Sequence, residues 1–340
     1  MIGSFIGGLT ACAMLIGRFS LYMAGLRMNG IEIDRNTKGL VLLAAFNGAK
    51  FIKPLLESID NSLDVAVSDD GSTDLTCKVV EGLGREGLYF LPKHASGSAS
   101  ANFSYLFNTV PNHYSRYFFA DQDDVWVSEK LTLNLAELSR LEALHGRDTP
   151  CLVFSDANVV DENLVTLNPS FLDAEGLDHK FKDSFKLLCC QNVGQGATFA
   201  FNRALLDIVR PMPSGVIMHD WWVMLAAAAF GKISFLDRSL ILYRQHGSNV
   251  LGSRGDGLLL QLNRFLFRKD ELKHSLARTQ RNAALFLHTY RHILSEEYVE
   301  FLEGYSTLSS KSLFYRKYFS IKHGLRKTTL ARTLGFYTYI

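Results

Sequence analysis

The sequence lacks both of the glycine-rich phosphate loops that are easiest to read from a chain. No G-x-G-x-x-G follows its first apolar run and no G-x-x-x-x-G-K-[ST] occurs anywhere, which excludes a dinucleotide enzyme and a P-loop ATPase as first readings. Cysteine is scarce: Cys12, Cys77, Cys151, Cys189 and Cys190 are odd in number and lack the paired spacing of a zinc site or a secreted disulfide framework. Reduced thiols in a cytoplasmic protein are expected. Acidic residues are missing from Gly304 to Ile340, which carries seven Lys and Arg, while the remaining 29 basic residues face 34 acidic ones. Basic character is thus confined to the tail, and no accompanying motif suits a nucleic acid. At the other end, Met1 to Gly17 is apolar and rich in Gly and Ala but lacks the basic start of a signal peptide, and its length is at the lower limit for a membrane span. It reads as a weak anchor, an extension outside the folded unit, or a start assigned too far upstream.

What the chain does have is apolar bulk, 47% of 340 residues, enough for a sizeable core. Leu40 to Phe46 is a continuous apolar run of the kind that a parallel strand buried on both faces requires. Helical patterns at Ala49 to Ile59 and Ala99 to Val110 alternate with strands at Leu63 to Val67, Leu88 to Leu91 and Tyr117 to Ala120. Further strands are expected at Leu152 to Ser155, within Gly194 to Asn202, and at Leu240 to Tyr243. This alternation implies an α/β fold with a mostly parallel central sheet flanked by helices. Between Asn158 and Cys190 periodic signals are few, as expected of a binding loop or a set of short elements. The chain is expected to divide into an apolar extension (1–37), a main α/β domain (38–250) and a helical, basic C-terminal region (251–340).

In parallel sheets ligands bind beyond the carboxyl ends of the strands. Three polar clusters fall at such ends, Phe46-Asn47-Gly48, Ser68 to Asp74 and Asp121 to Asp124, and should converge on one crevice. The third sits in YFFADQDDVW, where Asp121, Asp123 and Asp124 follow an aromatic strand and precede the bulky Trp126. Carboxylates so close repel one another, and the counter-ion that suits them is Mg²⁺ or Mn²⁺, which prefers oxygen ligands and the phosphates of a substrate. A polar turn capping the next helix is the plainer reading. Asp69 or Asp70 can accept from a base N–H or a ribose hydroxyl, with Phe46 as an aromatic surface; the same residues also read as a turn that caps a helix. Gly196 belongs to a glycine pair that permits close backbone approach. Asp220 begins an apolar helix beside Trp221 and Trp222, where it is either a cap or a carboxylate whose pKa an apolar wall raises, with aromatic faces suited to sugar rings.

These pieces, taken in order, resemble the family 2 glycosyltransferases. AAFNG, SDDGSTD, ADQDDVW, HDWW and RQHGSN match the family's first-strand, nucleotide, D-x-D metal, catalytic-base and C-terminal His motifs between about Lys38 and Asn249. The resemblance implies the Rossmann-like glycosyltransferase A fold with a helical C-terminal extension. It is greatest to bacterial rhamnosyltransferases of cell-surface polysaccharide synthesis such as O-antigen. It implies an inverting, metal-dependent enzyme that moves rhamnose or a similar hexose from a dTDP- or UDP-sugar to a glycan or lipid-linked acceptor. On this reading Asp123 and His246 hold Mg²⁺ or Mn²⁺, and Phe46, Asn47, Asp69, Asp70 and Asp121 bind the nucleotide. Asp220 is the catalytic base, while Asp124, Trp126, Gly196, Trp221 and Trp222 receive or support the acceptor. His219 stands where the family often has Glu, so the base rests on Asp220 alone.

A nucleotidyltransferase would want a basic, glycine-rich loop near Leu40 to Lys50, which offers only Lys50. A non-catalytic nucleotide- or carbohydrate-binding module of the same fold is the alternative from another class. In the tail, Phe314, Tyr318, Ile321 and Leu325 fall on one helical stripe among basic residues. That pattern is expected either to lie on the inner face of the cytoplasmic membrane or to pack on the catalytic domain.

Overall fold

A computed structural model of the chain describes residues 27–28, 31–32, 39–91, 95–245 and 269–340. Two short strands, β1 (Arg27–Met28) and β2 (Ile31–Glu32), pair antiparallel. The main sheet begins with β3 (Gly39–Ala45), β4 (Asp64–Asp69), β5 (Leu88–Phe90) and β6 (Arg116–Asp121), mutually parallel in the order β5-β4-β3-β6. Beyond β6 the pairing becomes mixed. The short β10 (Ala200–Asn202) lies antiparallel between β6 and β8 (Cys151–Val160). Next comes β11 (Lys232–Arg244), parallel to β8, and β7 (Val125–Trp126) and β9 (Thr166–Asn168) add antiparallel edges to β11 and β8. The sheet and its flanking helices are the α/β architecture expected.

The continuous apolar run of β3 serves two cores at once. Successive residues of a strand point to opposite faces. Leu40 and Leu42 therefore pack with Phe103, Leu106 and Phe107 of α3 (Ala99–Thr109), while Val41 and Leu43 pack with Ile52 and Leu55 of α1 (Ile52–Ser58). Between them in the chain, α2 (Thr76–Gly82) returns β4 to β5, and α4 (Lys130–His145) follows β7. The stretch without clear periodicity, Asn158 to Cys190, contains the end of β8, β9, a helix α5 (Phe171–Glu175), a 3-10 turn at His179–Asp183 and α6 (Phe185–Cys190). Each is too short for its period to register.

The pairing of β8 with β11 is regular from Cys151↔Lys232 to Ser155↔Leu236 and then slips twice, so that Asp156 faces Ser239 and Val160 faces Arg244. β11 thus carries extra residues where the two strands approach the crevice.

After α7 (Arg203–Val209) and α8 (His219–Phe230), four helices complete the chain: α9 (Lys269–Tyr290), α10 (Glu296–Ser306), α11 (Leu313–Lys322) and α12 (Leu330–Tyr339). They extend the α3 side of the core. Phe286 packs against Phe185, Trp222 and Phe230, and Phe301, Leu302, Tyr305, Phe319 and Phe336 are buried in the same cluster. The expected stripe of α11 divides: Phe314, Tyr318 and Ile321 are exposed, whereas Leu325 is buried. Leu325 lies past the end of α11, where the chain turns inward, and Phe319 is the residue with which that helix packs.

Truncating Phe286 to alanine removes the ring on which four aromatic contacts converge, those of Phe185, Trp222, Phe230 and Tyr290. It should lower stability by about 3–5 kcal/mol in a single cooperative urea transition that includes the α/β unit. Unchanged stability, or two separated transitions, would show that the C-terminal helices fold as a unit of their own.

Candidate active site

Three loops at the carboxyl ends of β3, β4 and β6 are tied together by side chains acting on backbone. Gln122, between two aspartates, accepts from Phe46 N–H (2.9 Å) and donates to Phe46 C=O (2.8 Å), a two-way clasp across 76 residues of chain. Asn47 stands at φ 49°, donates its N–H to Ser72 Oγ (2.8 Å), and accepts from Thr73 N–H (2.9 Å) through Oδ1. Gly48 donates to Thr76 Oγ1 (2.8 Å), and a Cβ on it would lie 2.1 Å from Gln122 Oε1, so the clasp requires glycine there. Phe46 itself is 53% exposed, its ring left over by this bracing. The clusters expected to converge do converge.

Asp69 and Asp70 are engaged by the protein. Asp69 is fully buried and accepts from Gly71 N–H (3.2 Å) and Ser72 N–H (2.9 Å), with Ser72 Oγ–H on its other oxygen. Asp70 receives Ser96 Oγ–H (2.5 Å) and Gly97 N–H (3.1 Å). These carboxylates shape the loop rim.

The Asp121–Asp124 turn is different in kind. Burial, then the charges of Asp123 and Asp220, push Asp121 up to about 7. Asp124 is fully buried and pushed up by burial, Asp123 and Asp121; it accepts Arg244 N–H through Oδ1 (3.2 Å), and its Oδ2 has no hydrogen-bond partner. Arg244, at the end of β11, also donates to Asp123 C=O (2.9 Å) and Glu162 C=O (2.5 Å). Behind the turn lies Lys130, fully buried over the Trp126 ring, donating to Thr198 C=O (3.2 Å); burial brings it down to about 7 although Asp124 opposes the shift. Trp126 is buried as the wall of this corner. An all-oxygen donor set with an orphaned carboxylate oxygen fits a hard dication. Among the described residues no group of three His, Cys, Asp or Glu is arranged to hold one, and His246 lies outside the described residues.

Opposite, Asp220 opens α8. Its Oδ2 accepts Gly196 N–H (3.1 Å) and its Oδ1 accepts Trp221 N–H (2.6 Å). Burial raises it to about 6 against those two N–H groups and the Asn192 side chain. A Cβ on Gly196 would stand 3.0 Å from Asp220 Cβ, tighter than most contacts, which accounts for glycine at this approach. His219 stacks on Phe103 with ring centroids 3.6 Å apart and is held neutral by burial, its pKa down to about 3. Trp221 is half-buried and donates its indole N–H to Leu188 C=O (2.7 Å); Trp222 is fully buried and donates to Tyr290 OH (3.2 Å), so it belongs to the core.

Gln122, Lys130 and Arg244 carry roles that sequence reasoning did not give them. For Lys130 a signal existed: Lys130, Asn134, Leu138 and Leu141 are buried at helical spacing on α4, so the lysine shares the core-facing stripe. Gln122 and Arg244 depend on partners 76 and 120 residues away, which no local pattern reports.

No protein-family model matches the chain. Among curated proteins it is similar to the dTDP-rhamnosyl transferase RfbG of Shigella flexneri, 26% identical over 232 residues, which are 62% of this chain and 74% of that protein. It is also similar to an uncharacterized glycosyltransferase of a Nostoc species, 23% identical over 227 residues, 62% of this chain and 65% of that protein. Among solved structures, S. aureus TarS 1-349 in complex with UDP-GlcNAc is 15% identical, with a TM-score of 0.46 over 85% of this chain and 93% of that one. Mannosyltransferase PcManGT from Pyrobaculum calidifontis, solved with GDP-Man and Mn²⁺, is 14% identical, with a TM-score of 0.48 over 97% and 92%. The enzyme class expected from the ordered motifs, glycosyltransferase, is the class of both curated relatives.

A carboxylate held above its ordinary range lowers stability wherever it is ionised in the fold. For Asp121 that cost is absent below the unfolded value near 4 and complete above about 7. In EDTA, Asp121→Asn should therefore raise the melting temperature at pH 8 more than at pH 5, and Mg²⁺ or Mn²⁺ should shrink the gain at pH 8. Equal shifts at both pH values would remove the electrostatic strain.

Proposed function

We propose that the chain is an inverting, metal-dependent family 2 glycosyltransferase that moves rhamnose or a similar hexose from a dTDP- or UDP-sugar to a glycan or lipid-linked acceptor. The observation that carries this reading is the pairing of a buried, N–H-held carboxylate, Asp220, with the carboxylate turn Asp121–Asp124 close enough for its charge to bear on Asp121. The named activity of the Shigella relative supports the choice of sugar and nucleotide.

Asp123, with His246 and the diphosphate oxygens, would hold Mg²⁺ or Mn²⁺, which when bound neutralises the departing diphosphate as a Lewis acid. Asp121 would hold the ribose or a water of the ion's shell, and Phe46, Asn47, Asp69 and Asp70 would line the nucleotide's side of the crevice. Asp220 takes the proton of the attacking acceptor hydroxyl. At about 6 its pKa makes it a stronger base than an ordinary aspartate while leaving it ionised at neutral pH. The N–H groups of Gly196 and Trp221 fix its direction, and neutral His219 adds no competing charge beside it. A single base without a covalent partner gives inversion.

The exposed stripe of α11 supports peripheral contact with anionic membrane on the cytoplasmic side. Phe314 is 84% exposed and Ile321 69%, with Leu330 and Leu334 of α12 also exposed and Lys311, Lys322 and Arg326 at the surface beside them. Among the described residues no helix is long and apolar enough to cross a membrane. Each basic residue near anionic lipid contributes about 1 kcal/mol.

Asp220→Asn should cut turnover by about 10² to 10⁴ with nucleoside diphosphate affinity unchanged. In the parent, kcat/KM should fall as pH drops through about 6, where the base becomes protonated. Calorimetry of nucleoside diphosphate binding should show the metal requirement, lost with EDTA and in Asp123→Ala. Turnover that survives in Asp220→Asn would reduce Asp220 to a helix cap.

Flotation with anionic vesicles should carry the protein upward at low salt, less so at high salt, and fail in a Phe314→Ser/Ile321→Ser double variant. Full-length protein that stays below at low salt with lipid in excess would end the membrane reading.

A further inference from the structure

Beside the base lies a cleft of about 360 Å³ that the catalytic unit and the C-terminal helices build together. Its inner wall is Trp221, the residue next to Asp220, and Asn192, whose side chain also bears on Asp220. The outer wall comes from Lys327, Arg332, Phe336 and Tyr339, and among the described residues no Asp or Glu lines the cleft.

The walls are fixed by bonds across the junction. Trp221 is oriented by its indole N–H on Leu188 C=O, and Gln191 exchanges two hydrogen bonds with Thr328. Lys327 uses one of its three N–H donors on Cys190 C=O and lies 5.7 Å from the Phe336 ring centroid. Burial lowers its pKa, Cys190 opposes that shift and the Arg332 charge adds to it, and among the described residues no carboxylate bears on it. Arg332 donates through one nitrogen to Gly176 C=O (3.3 Å) and Thr328 Oγ1 (3.5 Å), and with Lys327 it sets two cationic side chains on a wall whose other members are aromatic, a setting that suits an anion attached to a ring. Their differing forms, a point charge and a planar fork, suit the several oxygens of a phosphate better than the single plane of a carboxylate. The same helix α12 that turns Phe336 and Tyr339 into the cleft leaves Leu330 and Leu334 exposed, so the cleft lies beside the proposed lipid-facing surface.

We propose that this cleft binds a sugar phosphate portion of the acceptor, the ring against Trp221 and Tyr339 and the phosphate between Lys327 and Arg332. The proposal rests on the transferase reading for its role and on the cleft alone for its binding chemistry.

The test is a titration of the full chain with α-glucose 1-phosphate, methyl glucoside, glucuronate and inorganic phosphate, followed by tryptophan fluorescence, with and without saturating UDP and Mg²⁺ to fill the nucleotide crevice. Glucose 1-phosphate should bind about tenfold or more tighter than the other three under both conditions. Arg332→Gln, at an exposed position, and Lys327→Met should each weaken it about tenfold, while Lys311→Gln, outside the cleft, should not. UDP affinity should be the same in all variants. Undetectable binding, equal or tighter binding of any of the other three ligands, or indifference to Arg332→Gln would overturn the proposal. A parent protein that binds the sugar phosphate but no nucleoside diphosphate would fail the transferase reading and leave the cleft as a binding site.

Discussion

Four carboxylates, Asp121, Asp123, Asp124 and Asp220, meet where the strands of one sheet end, and their mutual repulsion is the constraint that the surrounding structure answers. Burial raises it, since a charge taken from water and set beside its like loses on both counts. Part of the answer is built in: Arg244 N–H on Asp124, Lys130 behind it, and Gly196 N–H on Asp220. The part left over, an Asp124 oxygen without a hydrogen-bond partner and the raised Asp121, leaves a demand for positive charge. On the proposed function that demand is what makes the ion and the donor diphosphate bind as a unit.

The aspartates divide into two kinds of work that look alike in one-letter code. Asp69 and Asp70 satisfy their oxygens on nearby backbone and serine groups, so they set the position of a loop. Such carboxylates make a rigid rim, and the Gln122 clasp on Phe46 locks that rim to the charged turn. A site assembled this way is shaped before ligand arrives, which spares the ordering cost of binding.

Much of this architecture was legible because it is local. The run Leu40 to Phe46 announced a doubly buried strand within a residue of its true ends, and each polar cluster sits where a strand stops. Asp220 was recognisable by its place at the start of an apolar helix, in whose first turn it stands. What could not be read depends on distant partners or on very short elements. β10 has three residues and enters antiparallel between β6 and β8, a topology no periodicity encodes. The burial of Asp69 is decided by a turn closing on itself, and the two tryptophans after Asp220, equal in sequence, separate because α8 turns one toward Leu188 and the other into the core. In the tail, the stripe was visible but its direction was not, since Phe319 rather than Leu325 anchors α11.

The slips between β8 and β11 act as a ruler for the charged turn. Over the stretch from Ser155↔Leu236 to Val160↔Arg244 the longer strand uses three more residues than its neighbour. That surplus sets the phase in which β11 arrives, and therefore which backbone N–H meets Asp124 and which side chain reaches Asp123 C=O. A one-residue change there moves everything downstream by about 3.3 Å and reverses its faces. Length, more than composition, is what the stretch around Asp237 and Arg238 must preserve: substitutions there can be absorbed, whereas a deletion would carry the Arg244 N–H away from Asp124.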